Sequence, residues 1–258
     1  MRLESEVSGR SVVFACSLDR PDDKLLTLAF AASTAKELGA TRVGLVAPYL
    51  GYMRQDKRFR PGEAVTSRTF ATLVSGLADW LVCVDPHLHR YKSLSEIYSI
   101  PSAVVHAAPA MAAWIAGAVK APVIVGPDSE SEQWVAEVAR LAKAPFTVLE
   151  KIRRSDHEVE ISIPLASRWR EHTPVLVDDI ISTAGTMITT VKRLQEAGLR
   201  PPVCVGVHAV FADNAYAELK ACGAADVVSC NTIVHPSNAI DVMPAITAQV
   251  KAFLCEAV

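Results

Sequence analysis

The chain has 258 residues, enough for one large or two modest α/β domains. Half of it is hydrophobic and only 6% is aromatic, so Ala, Val, Leu and Ile build the core. A formal net charge of −2 gives no general attraction to nucleic acid or membrane surfaces. No apolar run reaches the length of a membrane span, and the amino end MRLESEVSGR lacks the apolar core of a signal peptide, so the expected location is the cytoplasm. The six cysteines form no CxxC pair; four lie in strand-like apolar runs and read as buried thiols.

Residues 11–16, SVVFAC, read as a first strand. Asp22 or Asp23 can cap a helix from about Lys24 to Leu38, and Gly39 ends it. Thr41 to Ala47 is the next strand. It delivers the chain to PYLGYMRQDKRFRPGEAVTSRTFATLV, Pro48 to Val74. There Arg54, Lys57, Arg58, Arg60 and Arg68 meet few acids, and Tyr49, Tyr52 and Phe59 are interleaved with them. Aromatics beside guanidinium groups suit a nucleobase and its phosphates, through stacking and bidentate contacts; a solvated basic surface is the plainer alternative. Ala64 to Leu77 reads as a helix. Asp79 to Asp85, DWLVCVD, reads as a strand that ends in Asp85, Pro86, His87, Leu88 and His89.

A domain boundary is expected near Lys120, which divides the chain into 1–119 and 120–258. Pro122 to Gly126 opens a second series of strand then helix, PVIVGPDSESEQWVAEVARLAK. Ser129 can cap that helix, with Glu130 and Glu132 near its positive end. After a strand at Pro145 to Glu150, Lys151, Arg153 and Arg154 precede the alternating run Glu158 to Ile163, a further strand. A mobile basic loop here can cover a reacting triphosphate and balance its charge. Pro202 to His208 and Asp226 to Cys230 are strands, and Ala239 to Ala257 closes the chain as an amphipathic helix.

The most informative stretch is Val175 to Met187, VLVDDIISTAGTM. An apolar run meets two acids, then small hydroxyl and glycine residues, then an amphipathic run from Met187 to Ala197. That pattern reads as a buried strand, a tight loop and a helix start. Small side chains at Ser182, Thr183, Ala184, Gly185 and Thr186 let backbone N–H groups close around an anion at the positive end of the helix. Asp178 and Asp179 would stand at the carboxyl end of a central strand, where open α/β sheets place ligands. As acceptors they suit vicinal sugar hydroxyls better than phosphate. A buried strand, a turn and a capped helix would account for the pattern except for the paired acids, which packing explains poorly.

VLVDDIISTAGTM resembles the phosphoribosyl-pyrophosphate binding signature of the type I phosphoribosyltransferase fold, and YLGYMRQDKRFRPGEAVTS resembles the ATP-binding flag segment of the ribose-phosphate pyrophosphokinase family. The likeness runs from about Arg10 to the end, with the motifs in the family's order. It implies an α/β fold of two phosphoribosyltransferase-like domains, each a largely parallel sheet flanked by helices. It further implies transfer of the β,γ-diphosphoryl group of Mg²⁺-ATP to the C1 hydroxyl of ribose 5-phosphate, in a homo-oligomer, dimer or hexamer. By the resemblance Arg54, Gln55 and Asp56 contact ATP. His87, in the Asp-x-His element, contacts ATP phosphate or the metal, and Asp128 is a second metal candidate. Lys151 and Arg153 are catalytic, and Asp178, Asp179 and residues 182–186 hold ribose 5-phosphate. The sequence departs from the family at four places: Ser182 stands where many relatives have Asp, Ala184 where Gly is common, Ser129 to Ser131 where Gly is usual, and nothing before Arg10 matches the family's amino-terminal adenine loop. The departures keep two other readings open: a non-catalytic regulatory paralogue, and a transferase that consumes phosphoribosyl pyrophosphate.

Overall fold

The computed structural model describes the backbone of residues 1–127, 131–153, 159–162 and 166–255, and the side chains of 1–127, 131–149 and 167–255. Short apolar runs alternate with helices throughout. Parallel neighbours must be joined by crossovers, and helices supply most of them. Two compact units result: Met1–His106 with Met243–Val258, and Ala107–Val242.

In the first unit β1 (Ser11–Ala15), α1 (Pro21–Glu37), β2 (Arg42–Val46), α2 (Thr66–Leu77), β3 (Trp80–Val84) and β4 (Ser102–Val105) follow one another. The strands pair in sequence order, all parallel. β3, WLVCV, is buried along its whole length, as a strand covered on both faces must be. Asp79 fastens its entrance: one carboxylate oxygen accepts the Val43 N–H at 2.7 Å and the other accepts Lys36 Nζ at 3.1 Å.

The second unit contains α3 (Ala108–Ala118), β5 (Pro122–Gly126), α4 (Glu132–Ala142), β6 (Phe146–Val148), β7 (Glu150–Arg153), β8 (Val159–Ser162), β9 (Thr173–Ile181), α5 (Gly185–Glu196), β10 (Val203–Ala209), α6 (Ala215–Ala221), β11 (Asp226–Cys230) and β12 (Asn238–Ile240). Its main sheet has the order β12-β11-β10-β9-β5-β6, parallel throughout, and β7 and β8 form a separate antiparallel hairpin. From β5 the chain steps outward to β6. It then returns to β9 on the other side of β5 and continues outward through β10, β11 and β12. The strand order therefore reverses between β5 and β9, and loops leaving the carboxyl ends of two such strands diverge to open a crevice. Val175, Leu176 and Val177 of β9 are fully buried, the two acids that follow them are half-buried, and the strand returns to the core at Ile181.

Both sheets are largely parallel and flanked by helices, as expected. The division of the chain differs from one cut near Lys120. The final helix, α7 (Met243–Cys255), returns to the first unit, where Phe253 stacks on Trp80 of β3 with centroids 4.9 Å apart and planes 9° apart. The Phe253 carbonyl also accepts Arg42 Nη1 at 2.9 Å. α3 packs on α4 of the second unit. The strands β4 and β12 are additional to those read from the sequence, and α4 has Ser131 at its N-cap position, while Ser129 lies outside the described residues. All six cysteines are free thiols; Cys83, Cys204 and Cys230 are buried, and burial pushes the Cys83 and Cys204 thiols far up. Among the described residues no helix is long and apolar enough to cross a membrane.

Trp80 has room for its stack on Phe253 only because Gly44 faces it. A Cβ at Gly44 would fall 2.0 Å from Trp80 Cζ2 and 2.2 Å from Cε2. We expect Gly44→Ala to destabilise the protein by about 3 kcal/mol, the upper part of the range for overpacked cores, read as a lower urea midpoint. A shift worth less than about 0.5 kcal/mol would contradict this packing.

Candidate active site

The switch point of the second unit carries one group of predicted residues. β9 releases Asp178 and Asp179, both half-buried, and Asp178 Oδ1 accepts the Asp179 N–H at 3.0 Å. Beyond them Ser182 is half-buried, Thr183, Gly185 and Thr186 are exposed, and Ala184 is buried. Ala184 precedes α5 with φ 55° and ψ 7°, the left-handed region that costs an alanine roughly 1 kcal/mol. That conformation turns the chain sharply from strand to helix. No side chain caps α5, so its first N–H groups keep the unmet hydrogen-bonding capacity and positive potential that bind anions. Met187, buried on the inner face, anchors the helix start from below.

Gly185 is not needed by the folded chain itself. It lacks a positive φ, and a Cβ there would meet only Thr183 Oγ1, at 3.9 Å. Its small size leaves open space beside the first turn of α5, the room an anion needs for close approach to backbone. The loop is fastened from outside: the Phe211 N–H donates to the Ile181 carbonyl at 2.9 Å and the Ala212 N–H to the Ser182 carbonyl at 3.1 Å. Next to β9, His208 of β10 is buried. Thr232 Oγ1 donates to the Val207 carbonyl at 2.9 Å, so at 2.9 Å from His208 Nδ1 it accepts, which places the proton on Nδ1.

β5, beside β9, releases the loop that carries Asp128. Asp128, Ser129 and Glu130 themselves lie outside the described residues. Lys151 and Arg153 stand on β7, opposite Ile161 and Val159 of β8. They belong to a hairpin strand, where a loop was expected, because the alternating run of β8 finds its partner immediately upstream. Their two-residue spacing places them on one face of that strand; their side chains, and Arg154, lie outside the description.

The first unit holds the other predicted group at the carboxyl ends of β2, β3 and β4. Arg54 is exposed. Gln55 is half-buried and its backbone is tied in, with the Gln55 N–H donating to the Tyr52 carbonyl and the Ser67 N–H donating to the Gln55 carbonyl. Asp56 differs from its neighbours. Its side chain is only 2% exposed, and its oxygens accept Arg90 Nη1 at 3.1 and 3.0 Å. This carboxylate faces inward and anchors the segment to the chain beyond His89. Lys57 Nζ lies 5.1 Å from the centre of the exposed Phe59 ring, an arrangement consistent with the mixed basic and aromatic surface read from the sequence.

His87 is half-buried, and its ring is tilted 44° against the His89 ring with centroids 4.1 Å apart. Asp85, just before them, has φ 29°; its N–H donates to the Val105 carbonyl and its Oδ1 lies 2.9 Å from His106 Nδ1. Arg90 and His106 carried no sequence signal, because their roles depend on which residues the folded chain sets beside Asp56 and Asp85. Among the described residues no group of three or more His, Cys, Asp or Glu side chains could hold a metal ion. Mg²⁺ suits such a surface, since it takes one or two carboxylates and completes its shell with water and substrate phosphate; Asp178 and Asp179 offer the hard oxygen donors it prefers.

The hydrogen bond to Asp85 raises the His106 pKa. A raised folded pKa contributes stability that is full below the unfolded value of about 6.5 and is lost as pH rises through the folded value. The melting-temperature gap between the native protein and His106→Gln should therefore be widest near pH 6 and close in alkali. A gap that grows with pH would contradict the pairing.

Both parts of the chain are similar to known proteins. Residues 93–243 match the family model described as phosphoribosyl transferase domain, and residues 1–77 match the N-terminal domain of ribose phosphate pyrophosphokinase. The chain is 33% identical over 253 residues to a ribose-phosphate pyrophosphokinase of Methanopyrus kandleri, covering 97% of this chain and 86% of that protein. It is 30% identical to one of Sulfurisphaera tokodaii, covering 97% and 87%. The crystal structure of phosphoribosylpyrophosphate synthetase from Mycobacterium smegmatis shares the fold, with TM-score 0.81 and 24% identity over 99% of this chain and 86% of that one.

Proposed function

Because the chain belongs to the ribose-phosphate pyrophosphokinase family, we propose that it is a diphosphotransferase: it moves the β,γ-diphosphoryl group of ATP to the C1 hydroxyl of ribose 5-phosphate, giving phosphoribosyl pyrophosphate and AMP. The observation that carries this reading is the open, uncapped start of α5, a short loop beyond the end of β9 with its two carboxylates, at a strand-order reversal. The backbone of residues 182–186 and the hydroxyls of Thr183 and Thr186 receive the 5-phosphate. Asp178 and Asp179 take the ribose hydroxyls, directly or through the metal. In the first unit Arg54, Gln55 and His87 hold the nucleotide, and Asp56 acts from inside by keeping their segment in place.

The C1 oxygen bonds to the β-phosphorus, the bond from that phosphorus to the α,β-bridging oxygen breaks, AMP leaves with that oxygen, and the hydroxyl proton is released. Such a transfer needs positioning and charge balance rather than a covalent nucleophile. Lys151 and Arg153, spaced for one strand face, balance the charge of the moving group. Asp128 and His87, with Asp178 and Asp179, would be the ligands on this chain for Mg²⁺, which would neutralise phosphate charge. On the same reading the protein acts in the cytoplasm as a homo-oligomer.

Two variants separate the roles. Gly185→Val should keep native stability within about 1 kcal/mol while lowering ribose-5-phosphate affinity at least tenfold by calorimetry, because its side chain enters the open space beside α5. Lys151→Ala should bind ribose 5-phosphate nearly as well as the native protein and lose turnover. Sugar-phosphate binding that survives Gly185→Val would contradict the cradle, and binding lost with Lys151→Ala would contradict the division of labour.

A further inference from the structure

The loop after β10 contains a second strained backbone that the reaction does not use directly. Phe211 has φ 29° and Asp213 φ 49°, both left-handed and neither glycine. The N–H groups of Phe211 and Ala212 hold the carbonyls of Ile181 and Ser182, the last residue of β9 and the first of the phosphate loop. The position of that loop thus depends on a phenylalanine kept in a conformation that it does not favour by itself.

Two rings keep it there. Phe211 lies 4.6 Å from the His235 ring, tilted by 30°, and 5.2 Å from Tyr216 at 64°. His235 and Tyr216 close the triangle at 4.8 Å and 89°. His235 is itself held by a hydrogen-bond chain whose direction can be worked out. Asn238 Oδ1 accepts the His235 N–H at 3.0 Å, which fixes the amide orientation, so Asn238 Nδ2 donates to Ser229 Oγ at 2.9 Å. Ser229 Oγ lies 2.7 Å from Ser237 Oγ, which lies 2.8 Å from His235 Nδ1. The Ser237 N–H also points at Nδ1, at 3.2 Å, and a backbone N–H can only donate. Nδ1 therefore carries no proton; Ser237 Oγ donates to it and Ser229 Oγ donates to Ser237. The ring is neutral with its proton on Nε2, and burial, which lowers the His235 pKa, favours that form. Ser229 and Ser237 are both buried, so the chain has little alternative partner.

We infer that His235 is a positioning residue for sugar-phosphate binding: its clamped ring holds Phe211, and through the Phe211 and Ala212 N–H groups it fixes the carbonyls from which the phosphate loop begins. The inference rests on the assignment of that loop to ribose 5-phosphate. It gives a role to a side chain that touches no reacting atom.

The test is calorimetry and steady-state kinetics on the full chain. His235→Ala should raise the Kd and KM for ribose 5-phosphate about tenfold while the KM for ATP and the saturated kcat stay within about twofold. His235→Phe, which restores a ring against Phe211 and Tyr216, should recover most of the affinity. Phe211→Leu should weaken binding similarly, and adding His235→Ala to it should weaken binding little further, because both act through one contact. Should His235→Ala fail to fold, Ser237→Ala, which unhooks the ring but keeps it, should show the same split. Unchanged sugar affinity, an equal loss for ATP, or full additivity with Phe211→Leu overturns the inference. A native protein that does not bind ribose 5-phosphate overturns the loop assignment and the inference together; native binding with an unaffected His235→Ala overturns the inference alone.

Discussion

A central strand buried on both faces can present polar groups only near its end, and β9 carries two half-buried carboxylates just before its last two residues, with a short loop and a helix start that has no side-chain cap beyond them. Acceptors for hydroxyls stand at one side and backbone donors for phosphate at the other, so a sugar phosphate matches both. The junction is held from both sides: Val175, Leu176 and Val177 are fully buried just before the acids, and Ile181 and Ala184 are buried just after them. The reversal of strand order between β5 and β9 keeps the space above this junction clear. The rest of the second unit serves to hold the junction still.

Strain is concentrated at the same edges. Among the described residues, non-glycine positive φ values occur at Tyr52, Asp85, Ala184, Phe211 and Asp213, all in segments that follow strands of the two parallel sheets, and elsewhere only at Ala121 and Lys143. Four of the first five are tied down. Tyr52 OH donates to Asp22, Asp85 is held by Val105 and His106, the Ala184 carbonyl accepts the Ile188 N–H, and Phe211 is braced by His235. Strained backbone persists only where surrounding contacts over-determine it, and at Tyr52, Asp85 and Phe211 those contacts come from segments distant in sequence.

Much of this was legible in the sequence. The apolar run into Asp178 and Asp179 and the small residues after it specify strand, loop and helix by local chemistry alone, and the parallel α/β class follows from repeated strand and helix runs. What was not legible depends on pairing between distant segments. The return of α7 to the first unit needs Phe253 to meet Trp80 across a gap opened by Gly44, and no local pattern announces that. Asp56 reads as part of an exposed basic segment until Arg90 is seen to draw it inward. Lys151 and Arg153 read as loop residues because four-residue β7 has too little pattern of its own without β8. His106 and His235 matter only through the neighbours that strand register and loop closure give them.

The central claim is the chemistry assigned to the junction of β9 and α5. Phosphorus NMR of the purified protein with ribose 5-phosphate, Mg²⁺ and ATP tests it most directly, because the identity of the nucleotide product reports which phosphorus is attacked. Resonances of AMP and phosphoribosyl pyrophosphate growing together are the predicted result. ATP that stays intact in the presence of bound ribose 5-phosphate, or that yields ADP instead, would contradict the account.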